Sequence, residues 1–277
     1  MKRKFGKTVY HVLLIAVSFL MLYPLLWMIA SSFKEESEIM VTATSLIPKN
    51  FTFENYIKAW SGLGKYTFKD FFQNSLVIAI SRTIGVTISS TLIAYGFARI
   101  KFRGRKFWFA IMIGSMCLPG MVLQIPQYIL FNKLGWIGTF LPIIVPGFFG
   151  GAYNIFMLMQ FMKNIPKEMD EAAMIDGCGR FQYLIHVMLP LIRPAVIMVA
   201  VLVFIAAWGD FHSALIYLNK PSTYPVAYAL KLFSDEYTTS YGPMLAMSTL
   251  SLTPIMILFL FFQKSLMDGI STSGIKG

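Results

Sequence analysis

Arg82 and Asp210 are the residues from which chemistry could be built, because each sits well inside a long apolar run. A charge at such depth is costly, faces a cavity or a partner, and is a functional candidate by default. A buried structural pair and a role in a path through the membrane are both open readings. Enzyme chemistry has little else to draw on. His11 and His186 stand at the edges of apolar runs, and His212 follows Asp210. No serine or carboxylate accompanies them in a recognisable catalytic arrangement. Cys117 lies in an apolar run and Cys178 in a polar one, so both read as unpaired thiols, and no Cys/His group has metal-ligand spacing. A phosphate-binding loop of the G-x-x-x-x-G-K type is absent from the sequence. No residue is therefore assigned to catalysis or to a metal.

The second grouping is polar and compact: Ile165 to Pro190, IPKEMDEAAMIDGCGRFQYLIHVMLP. It reads as helix, turn, helix. Pro166 suits a first helical position, where its missing N–H costs nothing. Glu168, Asp170 and Glu171 fill the opening turns, where carboxylates complement the positive helix end. Gly177 stands where a left-handed cap is needed. A second helix is expected from about Arg180 to Leu189, with Pro190 and Pro194 marking its end. Ala172 and Ala173 promise a flat surface for close backbone approach, while the acids reach toward a basic partner.

Around these groups the chain is built to lie in lipid. Its 277 residues are 56% hydrophobic and only 13% charged, with a mean hydropathy of +0.64. The net charge of +11 does not point to nucleic acid, because the basic residues cluster at the ends of apolar segments. Six segments are long enough to cross a bilayer: about 9–33, 71–98, 107–130, 140–162, 195–218 and 242–263. A signal peptide starts like residues 1–8, but the apolar run after them is too long for one. The third span is expected to break at Pro119 and Pro126. Pro142, Pro146, Gly147, Gly150 and Gly151 in the fourth mark either backbone lining a cavity or, the reading favoured, close helix packing. Residues 34–70 read as a water-exposed loop with some local structure. The head, the 99–106 turn, the 163–193 segment and the tail carry 15 Lys and Arg, against eight in the other loops. The basic side, with both termini, is expected to be cytoplasmic. The whole chain reads as one transmembrane domain.

The pattern E-A-A-M-I-D-G from Glu171 to Gly177, with L-P at Leu189–Pro190, resembles the cytoplasmic coupling loop of ABC-importer permeases. N-S-L at Asn74–Leu76, A-Y-G-F-A-R at the end of span two, W-G-D-F at Trp208–Phe211 and the closing S-G-I-K-G widen the likeness. Together they resemble carbohydrate-importer permeases, of the maltose/maltodextrin inner-permease type, over nearly the whole chain. Gly209 is one departure, standing where that family often has asparagine.

The resemblance implies an all-α, type I importer fold of six transmembrane helices with a coupling helix between spans four and five. It implies translocation of a di- or oligosaccharide across a bacterial or archaeal cytoplasmic membrane. Glu168, Glu171, Ala172, Ala173, Asp176, Gly177, Leu189 and Pro190 would meet an ATPase. Asn74, Arg82, Trp208 and Asp210 would line the path. Asp235, Glu236 and Tyr237, in the outer loop at 219–241, would contact an extracytoplasmic sugar-binding protein. The partners implied are a second, homologous permease in a heterodimer, two ATPase subunits carrying ATP and Mg, and membrane lipid. An importer for a polyamine or peptide shares the coupling loop and stays open as an alternative. A secondary transporter would often show internal repeats, and no convincing repeat is present.

Overall fold

A computed structural model describes residues 2–41, 45–62, 65–233 and 240–274, and those residues are organised as helices. In chain order they are α1 (Lys2–Ser31), α2 (Glu36–Val41), α3 (Glu54–Trp60), α4 (Phe68–Arg99), α5 (Arg105–Met116), α6 (Gly120–Lys133) and α7 (Leu141–Ile144). A 3-10 turn at Val145–Phe149 leads into α8 (Ala152–Lys163). Then come α9 (Glu168–Ile175), α10 (Arg180–Tyr183), a wide π turn at Leu184–Met188, α11 (Leu189–Leu191), α12 (Arg193–Trp208), α13 (Phe211–Tyr217), α14 (Val226–Ala229) and α15 (Tyr241–Gly274).

Four stretches are long and apolar enough to cross a membrane: 7–31, 68–99, 141–163 and 241–264. Two bent pairs raise the number to six if each pair is counted as one span. α5 and α6 meet at 101°, and the 180–191 segment meets α12 at 80°. Counted so, the first, second, fourth and sixth expected spans each match one stretch and the third matches the α5–α6 pair. The pair at the fifth covers 180–208 rather than 195–218. The third breaks only around Pro119, which precedes α6; Pro126 is accommodated inside that helix. The fifth does not run from 195 to 218 as one helix. It stops at Trp208, and α13 begins after Gly209 and Asp210.

The chain forms two compact units. The first comprises residues 1–71 and 228–254. Its loop between α1 and α4 is better ordered than its polarity suggests. Phe33 stacks on Phe51 with ring centroids 4.9 Å apart and meets Phe53 edge-on at 5.5 Å. The buried Asn55 amide donates to the carbonyls of Ser32 and Lys34 at 3.0 and 2.7 Å, closing the end of α1 against α3. Glu36 accepts the first N–H groups of α15, from Tyr241 and Gly242, at 2.6 and 2.9 Å. A carboxylate there satisfies orphan donors and complements the helix dipole. Glu38 takes the N–H of Lys49, and that hydrogen bond is the main reason its carboxyl titrates below its ordinary value.

The second unit comprises residues 72–227 and 255–277. Its larger core joins α4, α5, α8, α12 and the 180–188 segment through Tyr95, Phe97, Leu158, Met162, Met188 and Val199. A smaller core gathers Ala79, Phe204, Ala207 and Trp208, with Ile255 and Leu258 packed on it. Glycines in the fourth span serve both of the readings left open for them. Gly147 packs on α4, where an added Cβ would lie 3.0 Å from Val86 Cγ2, and its carbonyl accepts the Ser89 hydroxyl at 3.1 Å. Gly147, Gly150 and Gly151 also line a cavity of this unit. Gly150 adopts φ 87°, ψ 153°, a conformation close to glycine-only.

Candidate functional site

α9 is the polar helix expected between spans four and five, and its terminus is built as anticipated. Gly177 has φ +77°. The Cys178 N–H reaches back to Ala173 O at 2.9 Å and the Gly177 N–H to Met174 O at 3.1 Å. This six-to-one, five-to-two pair is the Schellman arrangement. Nothing lies within 4 Å of where a Gly177 Cβ would stand, so only conformation restricts the position. Gly177→Val should cost about 1–2 kcal/mol, whereas Gly177→Asn should be close to neutral. Comparing amide exchange of α9 in the two variants checks this, and equal exchange would refute it.

Other details of the segment differ from expectation. Pro166 lies outside the helix, which starts at Glu168. The wide turn at 184–188 continues helically through Pro190 to Leu191, so Pro190 does not end it. A proline ring crowds the carbonyl four residues earlier, here His186, and a wide turn relieves that crowding. Ala172 is exposed, but Ala173 is buried in the core with Tyr183 and Met162, so only Ala172 offers a flat surface. Glu168, Glu171, Asp176 and Gly177 are exposed, as is Pro190, while Leu189 is half-buried. Beside the acids, Met174, Ile175 and Phe181 expose two thirds or more of their surface.

What holds α9 in place is a group the sequence did not reveal. The Arg99 side chain, 6% exposed, pairs with Asp170 at 3.3 Å. Its Nη2 donates to the carbonyls of Met162 and Ile165, both at 2.7 Å, where α8 ends. The Tyr183 hydroxyl donates to the other Asp170 oxygen. The Tyr95 hydroxyl donates to Arg180 O at 3.0 Å. The foot of α4 thus clasps the ends of α8, α9 and α10. Arg99 and Asp170 both lie in polar runs with other charges, so nothing local in the sequence separates them from solvent-facing neighbours.

Arg82 and Asp210 meet. Arg82 Nη1 lies 2.7 Å from Asp210 Oδ2, with the two side chains 31% and 18% exposed. Asp210 also caps α13, accepting the Ser213 N–H at 3.0 Å and its hydroxyl at 2.8 Å. The break at Gly209–Asp210 and the ion pair are thus one construction: the carboxylate starts the new helix and answers the arginine.

Arg82 and Ser213 open onto a cavity of about 960 Å³. Gln124, Gln127, Asn154, His212 and the tyrosines Tyr153 and Tyr217 are its other polar side chains, and no carboxylate lines it. Gln124 Nε2 and His212 Nε2 are 2.6 Å apart. No motif in the sequence singles out these amides, although their isolation in apolar runs was the available signal. Of the other expected path residues, Asp210 touches Arg82 without itself lining the cavity, and two lie elsewhere. Asn74 donates to the carbonyls of Ser222 and Tyr224 at 2.9 and 3.1 Å, bracing the loop after α13. Trp208 is buried, stacked on Phe204 at 5.8 Å and edge-on to Phe72 at 5.1 Å. Neither lines the cavity. Asp235, Glu236 and Tyr237 lie outside the described residues. No group of three or more potential metal ligands occurs among the described residues.

The pattern of a family described as binding-protein-dependent transport system inner membrane component matches residues 88–271. The arabinooligosaccharides transport system permease protein AraQ of Halalkalibacterium halodurans is 30% identical over 282 residues, covering 100% of both chains. The trehalose/maltose transport system permease protein MalG of Thermococcus litoralis is 32% identical over 265 residues, covering 95% of this chain and 94% of that one. Among solved structures, a bacterial ABC transporter involved in the import of the acidic polysaccharide alginate shares the fold. Its TM-score is 0.81 at 23% identity, over 95% of this chain and 96% of that one. The resemblance drawn from the coupling-loop and W-G-D-F motifs agrees with these relatives.

Proposed function

The chain belongs to the binding-protein-dependent transport system inner membrane component family, and from that membership we propose that it is the permease subunit of an ATP-driven importer for a di- or oligosaccharide. The observation that carries the sugar is the similarity, over essentially the full length, to permeases named for arabinooligosaccharides and for trehalose and maltose. The cavity suits such a cargo. Gln124, Gln127, Asn154, His212 and Ser213 offer neutral donors and acceptors to hydroxyl groups, while apolar walls face sugar rings. Arg82, neutralised by Asp210, adds a donor without leaving an unmatched charge.

In this reading a binding protein outside the cell delivers the sugar, and a second, homologous permease completes the path. Two ATPase subunits hold ATP and Mg and dock on α9. Glu168, Glu171 and Asp176 face basic groups on that partner, and Met174, Ile175 and Phe181 fill its apolar cleft. Asp235, Glu236 and Tyr237 contact the binding protein. The basic ends of the spans, with both termini, lie in the cytoplasm.

Proteoliposomes holding the complex test the proposal. ATP-dependent uptake of a labelled di- or oligosaccharide is expected when the loaded binding protein is present. Glu171→Lys, on the exposed face of α9, should abolish uptake while leaving membrane insertion intact. Normal uptake in that variant would remove α9 from the coupling role; uptake of a peptide or polyamine in place of every sugar tried would overturn the cargo.

A further inference from the structure

A second cavity lies apart from the polar one, at the foot of α4. Its volume is about 430 Å³, and Ile93, Gly96, Phe97, Trp108, Ile111 and Met112 form most of its wall. No charged side chain lines it. Gly96 leaves the space open: a Cβ there would meet nothing within 4 Å. Trp108 and Ile111, both about half exposed, stand at the surface. This is a slot entered from the side of the helices.

The rim is strongly basic. Lys101, Arg103, Arg105 and Lys106 follow directly after α4, and none of them makes an ion pair among the described residues. Arg99, the remaining base of that turn, points inward to Asp170. Lys163 stands over the Phe109 ring at 5.7 Å, and Phe109 packs edge-on against Phe97 at 5.9 Å. The sequence explains the imbalance, since no Asp or Glu occurs between Asp70 and Glu168. The helices that form the slot therefore cannot neutralise its rim.

We propose that this slot binds an anionic phospholipid, with one acyl chain between α4 and α5 and the headgroup phosphate on Arg103, Arg105 and their neighbours. The chemistry needs both halves of such a molecule at once. A free phosphate would leave the apolar slot empty, and a neutral lipid would leave the cations unanswered. Basic residues at the end of a span attract anionic headgroups, and tryptophan favours the same boundary. Trp108 lies within the slot itself, so it reports on the occupant.

Its fluorescence gives the test. The full chain is placed in mixed micelles containing phosphatidylglycerol or phosphatidylcholine brominated on the acyl chains. The Trp108 signal is the difference between the wild-type protein and Trp108→Phe. Brominated phosphatidylglycerol should quench that signal at far lower mole fraction than brominated phosphatidylcholine. Arg103→Gln with Arg105→Gln should weaken the phosphatidylglycerol preference about tenfold or more, while both variant and wild type unfold at the same temperature. Gly96→Leu, which fills open space and leaves the charges alone, should abolish the phosphatidylglycerol preference, leaving only the equal quenching that either lipid gives at the exposed half of Trp108. Equal quenching by the two lipids in the wild type would overturn the proposal, as would an undiminished phosphatidylglycerol preference in Gly96→Leu. If the phosphatidylglycerol preference disappears once the chain is purified with its membrane partners, a protein helix occupies the slot and the lipid assignment falls.

Discussion

Asp170→Leu should release α9 from the rest of the protein while leaving the six apolar segments in the membrane. The carboxylate is the meeting point of Arg99 and the Tyr183 hydroxyl. Arg99 is almost fully enclosed, so losing Asp170 strands a cation that has already given up its water. Breaking one side of a buried ion pair costs on the order of 3–5 kcal/mol. A local loss of that size raises amide exchange in α9 by roughly two to four orders of magnitude, at about 1.4 kcal/mol per tenfold. Asp170→Asn should fall between, since an amide oxygen still accepts from Tyr183 but returns no charge to Arg99. Glu171→Leu is the contrast: an exposed acid one residue away, whose loss should leave exchange where it was. Unchanged exchange in Asp170→Leu would show that the carboxylate is not the anchor.

The second large effect is expected at the charges inside the membrane. Arg82→Met leaves Asp210 facing a low-dielectric surface without its cation. Because nearly a third of Arg82 is exposed to the cavity, the full cost of a buried pair is discounted to about 1–3 kcal/mol. Asp210→Asn removes the charge and keeps a good helix cap; Asp210→Leu removes both and should cost about 1 kcal/mol more. Arg82→Met combined with Asp210→Asn should be less harmful than Arg82→Met alone, because no unmatched charge is left behind. Thermal unfolding of the four variants in detergent, with the sugar-uptake rate as a second readout, measures the coupling directly. Simple additivity of the two single losses would mean that the 2.7 Å contact carries no energy of its own.

Hydropathy revealed the spans. The cap at Gly177 was legible because a glycine closing an acid-led helix supplies the left-handed conformation that other residues resist. The depth of Arg82 and Asp210 marked them out; their meeting across 128 positions of chain was not encoded locally. The fifth span misled because Gly209–Asp210 interrupts the helix without interrupting the apolar run. Ala172 and Ala173 look alike in sequence, yet one faces solvent and the other the core. Trp208 and Asn74 were placed on the path by motif. In a chain apolar on every face, periodicity cannot separate lipid, core and cavity. Arg99 and Asp170 were hidden for the opposite reason, as charges among charges.

α4 stands apart from the other long spans. α1 and α15 contain internal prolines, the third and fifth spans are bent, and the fourth is interrupted around Gly150, whereas α4 runs from Phe68 to Arg99 without proline or break. Arg82 and Arg99 are on this one helix, about 26 Å apart along its axis. It is therefore one unbroken rod, gripped at its foot through Arg99 and near its middle through Arg82. Were α9 to take up the stroke of an ATPase, as proposed above, Asp170 and Arg99 would hand it to α4. A helix without proline or break would carry it to the Arg82–Asp210 contact as movement of one body.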